Sequence, residues 1–253
     1  MVRQKPSGNA DAAGVRDVVF TAYIAVLLLA VIPPVWAALL MLPRGGGSSR
    51  LLRRGVRFVI RASGCSLRVR GMNRLEGRGP LVVVANHGSY LDSIMLMAVL
   101  APGYLFVVNH QFASIPFFGL AVRKAGYLIV DRTRAAARRE CVLAMIDTLR
   151  RGSSLVVFPE GTRHRGADLL PFRRGAFRAA VEAGRPIVPI TLAGTANIWR
   201  PGTWLLHRDA VEIIVHQPIE PVDQGRTEIT RLRDAARVAI AETPDESGDW
   251  MIW

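Results

Sequence analysis

The chain contains one long apolar run, Val18–Leu42, that carries no charged residue over 25 positions. As a straight helix this run would measure ~37 Å, whereas the hydrocarbon layer of a bilayer is ~30 Å thick. Pro33 and Pro34 interrupt the helical pattern, because a proline lacks a backbone donor and restrains the residue before it. The run therefore predicts a kinked membrane span or a re-entrant hairpin. A cleavable signal peptide is the competing interpretation, but its apolar region is usually shorter and no clear small-residue cleavage site follows.

The charges beside this run predict its orientation. The polar N-terminal tail, residues 1–17, carries few cations near the run. The segment after it carries more, namely Arg44, Arg50, Arg53, Arg54, Arg57 and Arg61. Because positive flanks stay in the cytoplasm, we expect the main domain on the cytoplasmic face of the cell inner membrane.

Arginines alternate with apolar residues from Leu51 to Ser63, a pattern that suits a helix lying on anionic lipid. An ordinary packed helix with a solvated face is the alternative. We therefore assign residues 18–62 to a membrane anchor plus a basic amphipathic helix. The whole chain has a formal net charge of +13, which predicts attraction to an anionic partner: nucleic acid, acidic lipid, a phosphorylated substrate or an acidic protein. Its 2 cysteines exclude a disulfide scaffold and a zinc site built from cysteine alone.

Residues 63–242 alternate short apolar runs with helical stretches. The strand candidates are Ser66–Arg70, Leu81–Ala85, Tyr104–Val108, Gly126–Val130, Ser154–Phe158, Ile187–Leu192 and Val211–Val215. The helix candidates are Asp92–Leu100, Phe117–Lys124, Ala135–Arg150, Gly175–Ala183 and Thr227–Glu242. This alternation predicts an α/β fold, with a mixed, largely parallel sheet covered by helices behind an N-terminal membrane-associating helical segment. Residues 243–253 form a C-terminal tail whose last four residues are suited to contact lipid or a groove.

Two strand ends carry residues that can do chemistry. His87 follows one apolar strand, and Asp92 lies five residues later at the start of a helix. Across such a turn a carboxylate can fix the imidazole tautomer and raise its basicity. The alternative is a helix-capping aspartate beside a packed histidine. Glu160 follows a second strand, and because ligand sites gather at the carboxyl ends of strands, the two ends are expected to share one crevice.

Arginines near these ends suit a phosphate. Arg163 and Arg165 follow the Glu160 turn, and Arg132 follows a third strand end at Asp131. Solvated surface arginines, or a salt bridge from Arg132 to Asp131 or Glu140, are the alternatives.

Four ordered blocks resemble the glycerolipid acyltransferases, a family typified by the 1-acylglycerol-3-phosphate (lysophosphatidic acid) acyltransferases. They are Asn86-His87-Gly88-Ser89-Tyr90-Leu91-Asp92, Ile115–Gly119 with Val130-Asp131-Arg132, Phe158-Pro159-Glu160-Gly161-Thr162-Arg163, and Ile187-Val188-Pro189-Ile190. Phe172-Arg173-Arg174-Gly175 is similar to a further family element. The resemblance covers about Leu67 to Glu220 and departs from the pattern upstream of Ile115, where this chain has Asn109 and His110 in place of the common lysine.

The resemblance implies transfer of a fatty acyl group from acyl-CoA or acyl-carrier protein to the hydroxyl of a lysophospholipid, most directly 1-acylglycerol-3-phosphate. It implies His87 as general base and Asp92 as its orienting partner. The implied substrate contacts are Asn86, Ser89, Arg132, Glu160, Gly161, Thr162, Arg163 and Pro189. No cofactor is implied, and the five histidines show no His-x-x-x-His pairing for a metal.

Other functions stay open from the sequence. Another lysolipid such as lyso-ornithine lipid is the alternative acceptor, and the same His–Asp pair can serve a hydrolase if water replaces the acceptor. A non-catalytic protein of the membrane surface needs only the N-terminal segment. A nucleic-acid partner is not expected, because the arginines lack a helix-turn-helix or an aromatic stacking motif.

Overall fold

The computed structural model describes residues 8–131, 134–163, 168–200, 202–242 and 250–252, with side chains from residue 14. Within these ranges the helices are α1 (Gly8–Met41), α2 (Gly46–Ser63), α3 (Leu91–Val99), α4 (His110–Ala113), α5 (Phe118–Ala125), α6 (Ala135–Arg150), α7 (Gly175–Ala183), α8 (Thr195–Ile198) and α9 (Arg226–Ala241). The strands are β1 (Leu67–Arg70), β2 (Val82–Ala85), β3 (Tyr104–Asn109), β4 (Leu128–Val130), β5 (Ser154–Val157), β6 (Ile187–Ala193), β7 (Val211–Val215) and β8 (Met251–Ile252).

The strands form one mixed sheet in the order β4-β3-β5-β2-β6-β7-β1-β8. The first five strands of that order are parallel, β7 runs antiparallel to β6, and β1 runs parallel to β7. Short Val- and Ile-rich runs form these central strands because both of their faces are buried. The predicted fold class is confirmed, and each of the seven predicted strands is present within one or two residues of its expected bounds.

Helices cover both faces of the sheet. In β2, Val83 and Ala85 join the core beneath α2, α3 and α5, whereas Val82 and Val84 join the core beneath α6, α7 and α9. This alternation follows from the two-residue period of a strand. As a result β2 is the centre of both cores, and the turn that follows it has a rigid base.

The N-terminal helix differs from the expectation in two ways. It begins at Gly8, so part of the tail predicted over residues 1–17 is helical. It also continues through Pro33 and Pro34, so the chain does not turn back within the apolar run. Helix α2 packs against this segment, with Gly55 close to Val35. Gly14–Met41 is long and apolar enough to cross a membrane, and only 11% of its most apolar window is buried.

Helix α2 is packed more deeply than the lipid-surface interpretation predicted. Arg53 is 2% exposed, and its guanidinium donates to the carbonyls of Met97, Leu100 and Tyr104. Arg57 donates to Ala98 O at 2.6 Å. These two arginines therefore bind the carboxyl end of α3, where unpaired carbonyls need donors, and do not face lipid. Arg50, Arg54 and Arg61 are exposed.

The C-terminal tail adds an edge strand. Met251 and Ile252 pair antiparallel with Val69 and Arg68 of β1, and Trp250 lies 5.1 Å beneath the Arg70 guanidinium. Of the last four residues, which were expected to touch lipid or a groove, the described ones lie against the sheet. Residues 243–249 and 253 lie outside the described part of the chain.

Candidate active site

The turn between β2 and α3 brings His87 and Asp92 into contact. His87 Nδ1 lies 2.9 Å from Asp92 Oδ2. The same oxygen accepts the backbone N–H groups of Gly88 and Ser89, each at 2.8 Å. Asp92 is fully buried, and its Oδ2 already accepts two backbone N–H groups, as an ionised carboxylate does. Nδ1 therefore carries the proton, and Nε2 is left as the basic nitrogen.

The other oxygen of Asp92 is held by a residue that follows the neighbouring strand β6. Asp92 Oδ1 accepts a hydrogen bond from the hydroxyl of Thr195, the first residue of α8, at 2.5 Å. Gly194 directly before it has a φ of +85°, and a Cβ there would lie 2.1 Å from Ala210 O, so only glycine fits this turn. Thr195 was not predicted from the sequence. Its signal was its position directly after strand β6, the same strand-end rule that singled out His87 and Glu160.

An aromatic ring packs against one face of the His87 imidazole. Phe158, the residue after β5, stacks on it with ring centroids 4.1 Å apart and an angle of 19° between the planes. The side chain of His87 keeps 16% of its surface exposed. The ring thus has one packed face, one partnered nitrogen and a limited opening toward solvent.

Glu160 joins the crevice as expected, but both its oxygens are used by the backbone. Oε1 accepts His87 N at 2.8 Å, and Oε2 accepts Leu170 N at 3.1 Å. The residue is only 4% exposed. Glu160 therefore ties the His87 turn to the segment before α7 and offers no exposed carboxylate to a ligand.

Three other predicted contact residues also serve the scaffold. The Asn86 amide donates to Leu192 O and accepts Leu192 N, each at 2.8 Å, which fastens the turn to β6. Ser89 is buried, and its hydroxyl accepts Leu91 N at 3.3 Å. Pro189 lies buried within β6, opposite Val84.

A cavity of about 200 Å³ opens beside the turn that carries His87. It is lined by Gly88, Ser89, Tyr90, Arg163, Ala196, Trp199, Arg200, Gly202 and Thr203. Arg163 stacks over the Tyr90 ring, with Cζ 3.2 Å from the ring centroid. Two guanidinium groups therefore line one hollow next to the turn that carries His87, and such a hollow suits a phosphate group.

The remaining predicted residues divide into two groups. Gly161 and Thr162 are exposed in the turn between Glu160 and Arg163, and Gly161 adopts a φ of +76°. Arg132 and Arg165 lie outside the described residues. At the departure from the family pattern, His110 Nδ1 lies 3.6 Å from Asp131 Oδ1, near the ends of β3 and β4. Among the residues that the structure describes, no group of three or more His, Cys, Asp or Glu side chains is placed to hold a metal ion.

The chain is similar to several known proteins. A family model described as Acyltransferase matches residues 66–193. The chain is 34% identical over 177 residues to 1-acyl-sn-glycerol-3-phosphate acyltransferase BAT2, chloroplastic, of Brassica napus, an alignment covering 69% of this chain and 50% of that protein. It is 31% identical over 176 residues to 1-acyl-sn-glycerol-3-phosphate acyltransferase of Escherichia coli, covering 68% and 71% respectively.

A solved structure shows the same fold. The crystal structure of the 1-acyl-sn-glycerophosphate (LPA) acyltransferase PlsC from Thermotoga maritima superposes with a TM-score of 0.71 at 20% identity. The match covers 90% of this chain and 96% of that one. The chain spans about half the length of the plant relatives that it matches.

Proposed function

The chain belongs to the Acyltransferase family, and on that basis we propose that it moves an acyl group from an acyl thioester to the free hydroxyl of a lysophospholipid. The acceptor that fits best is 1-acylglycerol-3-phosphate, which would give phosphatidic acid. The observation that carries the proposal is the 2.9 Å contact between His87 and buried Asp92 beside an arginine-lined cavity.

The reaction needs only one general base. His87 Nε2 takes the proton from the acceptor hydroxyl as its oxygen attacks the thioester carbonyl carbon. The tetrahedral intermediate then collapses, the carbon–sulfur bond breaks, and the imidazolium returns its proton to the departing thiolate. Asp92 stabilises the imidazolium and keeps the ring in the productive tautomer. The buried Ser89 takes no covalent role, since its hydroxyl accepts a backbone bond inside the turn.

The cavity supports a phosphorylated acceptor. Arg163 and Arg200 line it together, and Arg163 is held flat by Tyr90. A guanidinium held by stacking loses little freedom when its N–H groups bind a phosphate. Gly161 and Thr162, in the turn beside Arg163, are proposed to face the reacting carbonyl.

Apolar surface supports a site at the membrane. Many α1 side chains are exposed, among them Val26, Leu29 and Met41. We assign this surface to the acyl-chain region of the lipid and the α/β domain to the cytoplasmic face of the inner membrane. The lipid acceptor then reaches His87 without passing through water.

A transfer assay tests the function directly. The purified full chain, in detergent micelles, is given acyl-CoA or acyl-carrier protein together with a panel of lysolipids that includes 1-acylglycerol-3-phosphate and lyso-ornithine lipid. Product mass identifies the acceptor. His87→Ala and Asp92→Ala are each expected to lower kcat by about 10³-fold or more, since a general base contributes 10²–10⁴.

The chain provides a matched control. His207 and Asp17 form a second histidine–aspartate pair, also at 2.9 Å, between α1 and the loop after α8. His207→Ala should keep kcat within a few-fold of the parent enzyme. Full turnover in His87→Ala, or thioester loss that is equally fast without any acceptor, would contradict the proposal and favour a surface protein or a hydrolase respectively.

A further inference from the structure

A second cavity lies between the first turns of α6 and α7, on the helical layer opposite α3. It has a volume of about 450 Å³ and is lined by Arg138, Arg139, Val142, Arg174, Gly175 and Arg178. Four of these six residues are arginines. The function proposed above uses none of them.

The charges in this arginine cleft are poorly balanced. Arg178 pairs with Glu182 at 2.5 Å. Among the described residues, no ion pair is formed by Arg138, Arg139 or Arg174, although Arg174 is one of the arginines that lower the pKa of Asp234. Helices α6 and α7 both begin at the cleft, so their dipoles add positive potential to it. Guanidinium groups gathered in this way repel one another until an anion neutralises them, and phosphate oxygens match their fork geometry.

The cleft is connected to the catalytic turn by short links. Arg173 N donates to Pro159 O at 2.8 Å, and the Arg173 side chain lies so close to Gly161 that a Cβ there would be 2.5 Å from its Nε. Glu160, which lies between Pro159 and Gly161 in the chain, accepts a hydrogen bond from His87 N. Summing these hydrogen bonds and single-residue steps places Arg174, at the edge of the cleft, within roughly 20 Å of His87.

We propose that the arginine cleft binds the phosphates of the nucleotide end of an acyl-CoA donor, an inference that rests on the function proposed above. A lysophospholipid acceptor carries one phosphate, for which the Arg163 cavity beside His87 is already suited. The donor nucleotide carries a diphosphate and a further phosphate monoester, which matches a cleft with several unpaired arginines. Its pantetheine arm is comparable to four or five extended residues, roughly 15 Å, and so bridges most of the gap to the thioester.

Kinetics with two donors test this assignment. The double variant Arg138→Gln/Arg139→Gln is compared with Arg150→Gln/Arg151→Gln, which removes the same charge at the other end of α6. Each protein is assayed with acyl-CoA and with acyl-phosphopantetheine, which has the same acyl group and arm but no nucleotide. We expect the first variant to raise the KM for acyl-CoA about tenfold while leaving kcat, the acceptor KM and the KM for acyl-phosphopantetheine unchanged. The control variant should change none of these values.

A binding measurement keeps the test independent of turnover. Adenosine 3′,5′-bisphosphate, titrated calorimetrically into the full-length chain, should bind the parent and the α6 control alike and bind Arg138→Gln/Arg139→Gln about tenfold more weakly. Equal binding to all three proteins overturns the inference even if the enzyme transfers acyl groups normally. With acyl-carrier protein added as a third acyl donor in the kinetic assay, a KM increase confined to that donor overturns the inference in favour of an acidic protein partner. Weaker binding to phosphatidylglycerol vesicles with an unchanged KM for acyl-CoA overturns it in favour of a lipid headgroup.

Discussion

At the scale of single residues, Asp92 is the centre of the candidate site. Its two oxygens accept hydrogen bonds from His87 Nδ1, from two backbone amides of the turn and from the hydroxyl of Thr195. Sequence spacing allowed His87 and Asp92 to meet across one short turn, and the family resemblance implied that they do. The contribution of Thr195, 103 residues later, depends on β6 lying next to β2, so its position after a strand pointed to the crevice but not to Asp92 as its partner.

Replacing Thr195 should weaken catalysis without removing it. Thr195→Val keeps the shape of the side chain but leaves one Asp92 oxygen without its donor, so the carboxylate is held less firmly and partners the imidazolium less well. We expect kcat to fall about tenfold, the share of a single hydrogen bond to a charged group, with KM for both substrates unchanged.

Thr195→Ser serves as the conservative comparison and should recover most of the lost rate, because the hydroxyl is restored. If the valine variant instead raised KM while kcat stayed at the parent value, Thr195 would belong to substrate binding and not to the positioning of Asp92.

At the scale of elements, short apolar runs were sufficient to predict the central strands. Runs such as Leu81–Ala85 are short, rich in β-branched residues and bounded by turn residues, which leaves little choice of structure. The pairing of Met251 with β1 could not be predicted, since a two-residue strand has no period. The burial of Arg53 was also hidden, because an arginine in an amphipathic helix reads as exposed until the carbonyls at the end of α3 are seen to need donors.

The contact between β6 and β7 predicts a pH dependence of stability. His216 Nε2 lies 2.8 Å from Thr191 Oγ1. Burial, with further repulsion from Arg74 and Arg70, lowers the pKa of His216 to about 4. Between that value and the ordinary pKa of about 6.5, the unfolded chain binds more protons than the folded one, so stability rises with pH. This contribution is complete above about pH 6.5 and is lost as the pH falls toward about 4.

The measurement is thermal unfolding in micelles at several pH values. His216→Gln keeps a hydrogen-bonding side chain but cannot titrate, so its melting temperature should fall less on acidification than that of the parent chain. The shift in the pKa of His216 corresponds to a change of roughly 2 kcal/mol in the free energy of unfolding, after allowance for partial exposure. Parallel pH curves for the two proteins would exclude His216 as a source of the dependence.

Helix α1 is attached to the α/β domain near both ends. Near its start Asp17 pairs with His207, and Thr21 Oγ1 accepts Leu206 N at 2.8 Å. At its end Lys124 Nζ donates to Leu42 O at 2.6 Å. A helix that is held at both ends by one domain lies along that domain, so we expect α1 to enter one leaflet and both of its ends to stay on one side of the membrane.

Cysteine labelling distinguishes this arrangement from a crossing helix. Gly14→Cys and Arg44→Cys should both react with a membrane-impermeant maleimide from the side that labels an Arg226→Cys control on the domain surface. The native Cys65 and Cys141 are buried and give little background. Labelling of Gly14→Cys from the opposite side only would establish a crossing helix.

At the scale of the whole molecule, aromatic contacts connect the apolar helix to the candidate site. Trp36 of α1 meets Phe117 edge-on, with ring centroids 5.7 Å apart. The adjacent Phe118 lies 6.3 Å from Phe112, which in turn lies 6.4 Å from Tyr90 at the cavity. Phe117 is 72% exposed, a large apolar surface to leave in water. Apolar surface thus extends from α1 to the cavity, as a lipid acceptor requires.

Two physical forces should therefore hold the protein on a bilayer, and salt separates them. The net charge of +13 attracts anionic lipid, whereas α1 gains by burying apolar surface whatever the headgroup. We expect tighter association with phosphatidylglycerol vesicles than with phosphatidylcholine vesicles at about 0.1 M salt, where charges interact over ~10 Å. At about 1 M salt, where this distance is ~3 Å, the protein should bind the two vesicle types equally but still strongly.

Co-sedimentation with the two vesicle types measures both contributions to binding. The variant Arg54→Gln/Arg61→Gln, which removes two exposed charges from α2, should reduce only the preference for phosphatidylglycerol at low salt. Release from both vesicle types at high salt would mean that charge alone holds the protein, and the lipid-buried position of α1 would then be wrong.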